Sequence, residues 1–411
     1  MKLLAFFILL LLVTVINIIL CKRIYAPPVI LGAVFCASYI LINIAYGEAE
    51  NSYTFYGCYI IATIFFSIGF YLTANGSILS QNNVQYHIYL EDSLFKIFLG
   101  VSYIFAIIEI IQMLPYVLGA KGNIWHLIRK GYEGNALLDN GNLYIFMLVI
   151  VSAAVYMIDE SIKNRKRLFL VAPCIIPFLL SSNRGTWFMF IITLLFLVIY
   201  IRRESYWEIV KIGGIAIGGI MLLILVSSVW KYKDYFDSYR DIFRMVSQSY
   251  FGSQFVAFRQ RMRDIHSGHT ALMMGQNTFR FIIAVGNKLG LSKEPVATVQ
   301  EFVYIYGYPT NVYTGLSYYA SDFGMWWAYF IEFLLGILYG YLFKKNMQKQ
   351  TENIFALIAG AILMYPLINQ FFDDRYFSVF SQWLQLFLYL WLFTRKKILI
   401  ICNNKEENNG K

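Results

Sequence analysis

Leu3–Leu20 reads LLAFFILLLLVTVINIIL, eighteen residues without a single charge. At 1.5 Å per residue such a helix climbs about 27 Å, close to the hydrocarbon thickness of a bilayer. Its apolar core is too long for a signal peptide, and no small-residue cleavage site follows it. Similar runs recur along the chain, at Pro27–Tyr46, Phe55–Ala74, Leu94–Leu118, Leu143–Ile158, Leu168–Ser182, Trp187–Ile201, Ile212–Trp230, Gly324–Phe343, Ile354–Phe372 and Phe377–Phe393. The expected fold is therefore all-α, a polytopic integral membrane protein with about eleven transmembrane helices. The composition agrees: of 411 residues 59% are hydrophobic and 14% charged, too few charges for a soluble surface. In lipid each span must satisfy its own backbone hydrogen bonds, which only helices of this length or closed barrels do.

The net charge of +10 reads as topogenic, since Lys and Arg gather in cytoplasmic loops; a nucleic-acid partner is not expected. Lys22 and Arg23, the Lys163–Arg167 cluster, Arg202 with Arg203 and Lys211, Lys344 with Lys345 and Lys349, and the tail from Arg395 all fall on one side if the spans alternate. The acidic Glu48–Glu50 loop then lies opposite. This places the N-terminus outside and the C-terminus in the cytoplasm, with Asn75–Ser93 inside despite lacking a strong positive cluster. Five cysteines lie in or beside apolar runs or in the tail; they indicate no disulfide framework, and metal-ligand spacing is absent. No cofactor is expected.

One connection is far longer than the rest. Residues 1–230 form the first eight spans, 231–323 a large outer loop, 324–394 the last three spans and 395–411 a cytoplasmic tail. A connection of roughly ninety residues is a functional element more often than a linker. Within it, Asp241–Asp264 is amphipathic: Ile242, Met245, Val246, Phe251, Phe255, Val256, Phe258 and Met262 alternate with basic residues. Arg240 with Arg244, and Arg259 with Arg263, are spaced to share a helix face. Such a face suits a membrane surface, and arginine grips phosphate oxygens in a bidentate fork. A lipid-headgroup anchor is the plainer reading for some of these arginines. Arg261, Arg280, His266 and His269 add polarity to the loop.

Polar residues within the apolar runs mark candidate chemistry. From Leu168 to Arg184 a helix climbs only about 24 Å, so Arg184, in Ser181-Ser182-Asn183-Arg184-Gly185-Thr186, is expected to sit recessed below the outer surface. Snorkelling through a thinned bilayer is the alternative. Glu109 and Glu332 fall inside spans, where a carboxylate is costly and by default paired or functional; a protonated, hydrogen-bonded Glu is the competing reading. Asp322 lies at the head of the Gly324 span, as a base candidate or as a carboxylate complementing the helix dipole.

Ser182–Gly185, Asn311-Val312-Tyr313-Thr314, and Asp322-Phe323-Gly324 leading into a span with a glycine such as Gly336 or Gly340 together give a likeness. The chain resembles the bacterial oligosaccharide repeat-unit polymerases, the O-antigen (Wzy-type) polymerases. The resemblance implies a metal-independent membrane glycosyltransferase at the outer face of the bacterial cytoplasmic membrane. Its substrate would be an undecaprenyl-diphosphate-linked oligosaccharide, held among membrane lipid, with a chain-length regulator as a further partner. On this likeness Arg184 would bind the diphosphate, with Arg244, Arg259 and Arg263 as its partners. Asp322 would be the leading base and Glu332 the second, while Asn311 and Tyr313 would contact sugar. Two alternatives stay open: a transporter or flippase of the same lipid-linked oligosaccharide, against which the absence of internal repeats speaks, and an O-antigen ligase, which an essential loop histidine would favour.

Overall fold

The computed structural model describes residues 2–46, 53–74, 92–119, 184–202, 238–291, 303–305, 308–347 and 354–393, with single residues between 207 and 229 and between 293 and 302. The expected spans Leu143–Ile158 and Leu168–Ser182 lie outside the described residues, as do the Glu48–Glu50 and Asn75–Glu91 stretches, the Lys163–Arg167 cluster and the tail from Arg395. The described structure is mostly helical, with one short hairpin.

In chain order the helices are α1 (Lys2–Cys21), α2 (Pro27–Tyr46), α3 (Tyr53–Ala74), α4 (Asp92–Leu118), α5 (Arg184–Arg202), α6 (Tyr239–Phe251), α7 (Ser253–His266) and α8 (Arg280–Lys288). Strands β1 (Val303–Ile305) and β2 (Tyr308–Thr310) follow, then α9 (Gly315–Phe323), α10 (Met325–Met347), α11 (Ile354–Asn369) and α12 (Phe380–Phe393). Four of these are long and apolar enough to cross a membrane, over Leu4–Cys21, Gly57–Ala74, Leu99–Leu118 and Met325–Asn346. The stretches Pro27–Asn43, Trp187–Ile201 and Phe355–Asn369 are apolar but shorter. The protein is thus a largely helical membrane protein whose described spans coincide with sequence runs to within a few residues.

The chain divides into two compact units. One comprises Asn83–Ala216, Lys349–Leu363 and Gln382–Lys411, and so holds α4, α5, the first part of α11 and most of α12. The other comprises Met1–Asn82, Ile217–Gln348 and Met364–Ser381, and carries residues 231–323 with α1, α2, α3 and α10.

In this second unit, α1 and α2 form an antiparallel pair, with Phe7 stacked on Tyr39 and Thr14 beside Cys36. Polar side chains in α1 and α3 satisfy one another. Asn17 donates to Ser67 at 3.0 Å and accepts from the Tyr71 hydroxyl at 2.9 Å. The most extensive interhelical contact among the described residues joins α3 to α10. The two run parallel, since Phe65 meets Tyr329, Phe66 meets Tyr339 and Phe70 meets Phe343. Glycines let the backbones touch: a Cβ at Gly69 would fall on the Phe333 carbonyl, one at Gly336 on that of Phe66 and one at Gly340 on that of Phe70. Without a hydrophobic driving force between spans, this close van der Waals packing supplies the association. Thr73 adds a hydrogen bond to the Ile337 carbonyl at 3.0 Å.

The loop elements pack at the end of this unit where α3 and α10 begin. Ser238 caps α6 by accepting from the Arg240 N–H, and Gly252 separates α6 from α7. The amphipathic face expected at a membrane surface is turned inward instead. Ile242, Met245 and Val246 of α6 and Phe255 and Phe258 of α7 are buried, with both phenylalanines against Tyr59 of α3. Burial against the protein removes the same apolar area from water that lipid would, and periodicity alone does not distinguish the two. The β hairpin pairs Val303 with Thr310 and Ile305 with Tyr308. Gly324, at φ +85, breaks the chain between α9 and α10, a left-handed conformation that glycine adopts without steric cost.

Candidate functional site

The site is centred on α9. Every residue from Gly315 to Asp322 is buried, including polar Ser317, Ser321 and Asp322. A helix buried all round must satisfy its polar groups from its neighbours, and α9 does so at both ends.

At its C-terminal end, Asp322 collects four donors. Oδ1 accepts from the Asn277 backbone N–H and side-chain amide, both at 3.1 Å. Oδ2 accepts from the Thr278 N–H and hydroxyl, both at 2.7 Å. The Asn277 amide also reaches the Tyr318 carbonyl at 3.2 Å, and Gln300 donates to its Oδ1 at 2.7 Å. The adjoining backbone is tied too, with Met273 N–H donating to the Ser321 carbonyl at 2.8 Å. Asp322 therefore stands neither as an N-cap of α10 nor as an open carboxylate: it closes the segment after α7 onto α9.

At the N-terminal end, Gly315 N–H donates to the Gln370 carbonyl at 2.8 Å, and Tyr59 donates to Thr314 at 3.2 Å. Consecutive tyrosines on α9 then reach consecutive aspartates in the turn after α11. Tyr318 donates to Asp373 at 2.7 Å and Tyr319 to Asp374 at 2.9 Å. Arg375 pairs with Asp373 at 3.0 Å. Asp374, fully buried, also accepts the backbone N–H groups of Tyr376, Phe377 and Ser378. Burial pushes its carboxyl up to about 6, against the pull of the Tyr376 N–H and the Tyr319 hydroxyl. Tyr319→Phe is expected to lower stability by about 1 kcal/mol, one buried hydrogen bond, read as a reduced Tm in detergent.

Glu332 sits on α10 beneath this turn, buried, with Oε2 accepting from the Gln370 amide at 3.4 Å. Its Oε1 has no hydrogen-bond partner among the described residues, and neither does Gln370 Oε1. Of the two carboxylates expected to act as bases, Glu332 is the one with an oxygen still open.

The other expected residues are distributed unevenly. Tyr313 is buried, and its hydroxyl donates to the Glu301 carbonyl at 3.0 Å; Asn311 beside it is half-buried. Arg259 is half-buried on α7, Arg263 is exposed in its last turn and Arg244 is exposed on α6. His266, the last residue of α7, and His269 beyond it are both exposed. Arg184 opens α5 and Glu109 is buried on α4, both in the other unit; the Ser181–Asn183 turn lies outside the described residues.

Two groups escaped the sequence reading, and Arg261 was read there only as added polarity in the loop. Asp373, Asp374 and Arg375 were absorbed into the short gap between two expected spans, although three charges in a row between apolar runs are themselves a signal. Arg261, off the i, i+4 pairs, is the buried arginine of the loop and pairs with Glu301 at 2.8 Å. Asn277 and Thr278 carry no motif that would have found them. Among the described residues no three His, Cys, Asp or Glu side chains gather as metal ligands.

No known family, no curated protein and no solved structure matches this chain. Its functional reading rests on the site itself and on the motif likeness.

Proposed function

We propose that the protein is an oligosaccharide repeat-unit polymerase. In this reading it spans the bacterial cytoplasmic membrane about eleven times, with the N-terminus outside and the C-terminus in the cytoplasm. It transfers a growing glycan from undecaprenyl diphosphate onto the next lipid-linked repeat unit at the outer face. The observation that carries the reading is the convergence on α9. The Asn311–Thr314 run leads into that helix and Asp322-Phe323-Gly324 ends it, so two of the segments that bear the likeness flank one buried helix whose two ends are both tied by polar contacts. The parallel run of α3 and α10 supports the topology, because both are odd-numbered spans in that scheme.

The reaction joins an acceptor hydroxyl oxygen to the anomeric carbon of the donor glycan. The bond from that carbon to the diphosphate oxygen breaks, and undecaprenyl diphosphate departs with the electron pair. Arginine balances the charge developing on the leaving diphosphate: Arg184 is assigned that role, with Arg244, Arg259 and Arg263 as partners from the loop. A carboxylate takes the hydroxyl proton. Glu332, with its open oxygen, is favoured over Asp322, whose four donors hold the loop. Asn311 lies at the edge where sugar would pass, and Tyr313 holds the wall behind it through Glu301.

The test is reconstitution of the purified protein in liposomes with a lipid-diphosphate-linked repeat unit and neither nucleotide sugar nor metal. Wild type is expected to give a glycan ladder, and Arg184→Ala to lose about a hundredfold or more in rate, as for removal of a charge-stabilising donor. Movement of lipid-linked sugar across the bilayer without a ladder would replace this reading with that of a transporter.

A further inference from the structure

Helix α8 has its own stop signal, yet among the described residues of its unit nothing covers its apolar side. Its end is fixed by local sequence: Gly290, at φ +73, lets the Leu291 N–H return to the Gly286 carbonyl at 2.8 Å and its own N–H to Asn287 at 3.1 Å. That pair of bonds is a Schellman stop. Ile282, Val285 and Leu289, spaced by three and four, form one stripe of the helix. Ile282 is 64% exposed, Leu289 67% and the following Leu291 81%. In a loop facing water, such a stripe would be an exposed patch without a reason.

Two ring contacts fix where the helix lies. Phe279, just before α8, packs on Trp327 with centroids 6.1 Å apart, and Thr278 accepts from the Trp327 indole at 3.3 Å. Trp327 is in the first turn of α10, the long apolar span. Phe281 packs on Phe380, the first residue of α12, at 5.5 Å. Both anchors are at the heads of apolar helices, and Trp326 beside the first is itself 77% exposed. A pair of tryptophans at a span head is the usual marker of the membrane–water boundary. Charge agrees with position. From Arg280 to Lys293 there is no acidic residue, Lys288 and Lys293 are exposed, and the positive charge of Arg280 acts on Asp373 on the protein side.

We infer that α8 lies in the plane of the membrane interface at the heads of α10 and α12. Its Ile282–Val285–Leu289 stripe sinks among acyl chains, and Lys288 and Lys293 meet lipid phosphates. The surface-lying helix of the loop is therefore α8 and not the Asp241–Asp264 stretch, whose apolar face is already spent on the protein core. The inference does not depend on the polymerase reading.

A genetically encoded dansyl amino acid at Val285, Leu289 or Lys288 tests this in the full-length protein. The protein is reconstituted in vesicles of phosphatidylglycerol and phosphatidylcholine, with quenching by an acyl-chain nitroxide lipid compared against aqueous iodide. The nitroxide is expected to quench positions 285 and 289 about threefold more than position 288, and iodide to show the reverse order, as for a helix half-sunk in the interface. Equal iodide quenching at all three positions overturns the inference in favour of a solvated helix. Protection of 285 and 289 from both quenchers overturns it in favour of a protein cover, a second copy included. Because each probe replaces an exposed side chain, failure of one variant to fold leaves the other stripe position to decide.

Discussion

Replacing Gly336 by leucine is expected to cost about 3–5 kcal/mol, the exceptional end of single-residue effects, and to leave little monodisperse protein in detergent. The obstacle is backbone. A Cβ at Gly336 would occupy the place of the Phe66 carbonyl oxygen, and the Phe66 carbonyl carbon and Phe70 nitrogen follow within 3.0 Å. No rotamer change relieves that, so α3 and α10 must part. Parting them loosens the Phe66–Tyr339 and Phe70–Phe343 contacts and the Thr73 bond to Ile337 together. Overpacking alone costs about 1–3 kcal/mol; the remainder comes from the seam that opens with it. Gly336→Ala, which adds only the colliding Cβ, should fall between. Gly57→Ala on α3 is the control, because its Cβ would meet only the Phe6 ring at 3.6 Å, and its Tm should stay at the wild-type value. A Gly336→Leu protein that melts with wild type would mean that α3 and α10 do not cross at these glycines.

The apolar runs were legible because lipid imposes one rule on every span: length and the absence of charge. α2 begins at Pro27 and α3 ends at Ala74 as read, and the glycines at 336 and 340 were visible as a feature of a late span. What the sequence leaves open is what a face packs against. The Asp241–Asp264 stretch and α8 have the same amphipathic grammar, yet one is roofed by Tyr59 and α9 while the other is bare. Only the tertiary partners separate them. The carboxylates followed a similar pattern. Asp322 and Glu332 stood out because they are acids beside or within apolar runs, and both lie in the buried polar centre. Their difference in engagement was not legible, since it depends on Asn277 and Thr278, more than forty residues upstream, and on Gln370. Asp373 and Asp374 were overlooked because a short charged gap between spans reads first as a solvated turn, and the tyrosines that draw it inward lie on a separate helix.

Asp322→Ala is expected to be the most damaging change in the loop, about 3–5 kcal/mol, because it strands several buried donors at once. Deleting the carboxylate orphans the Asn277 and Thr278 N–H groups, which are buried and have no other acceptor among the described residues. Each buried donor left unmade costs about 1–3 kcal/mol. The Thr278 hydroxyl can turn elsewhere, and the Asn277 amide keeps the Tyr318 carbonyl, so the total stays below the simple sum. Asp322→Asn retains one acceptor oxygen but turns its NH2 toward two donors, and it should recover only part of the loss. The readout is thermal unfolding together with limited proteolysis of the 264–280 segment. The alanine protein should be cut there at temperatures where wild type resists, while α1–α3 stay intact. That pattern separates a residue that closes the loop from one that acts only as a base. A base in an otherwise unstrained site would tolerate Asn, and even Ala, with the Tm and the cleavage pattern unchanged. Wild-type stability in Asp322→Ala would therefore return Asp322 to the catalytic role and dismiss the closure described here. The expected loss would instead leave Glu332, whose Oε1 has no hydrogen-bond partner among the described residues, as the carboxylate for the proposed proton transfer.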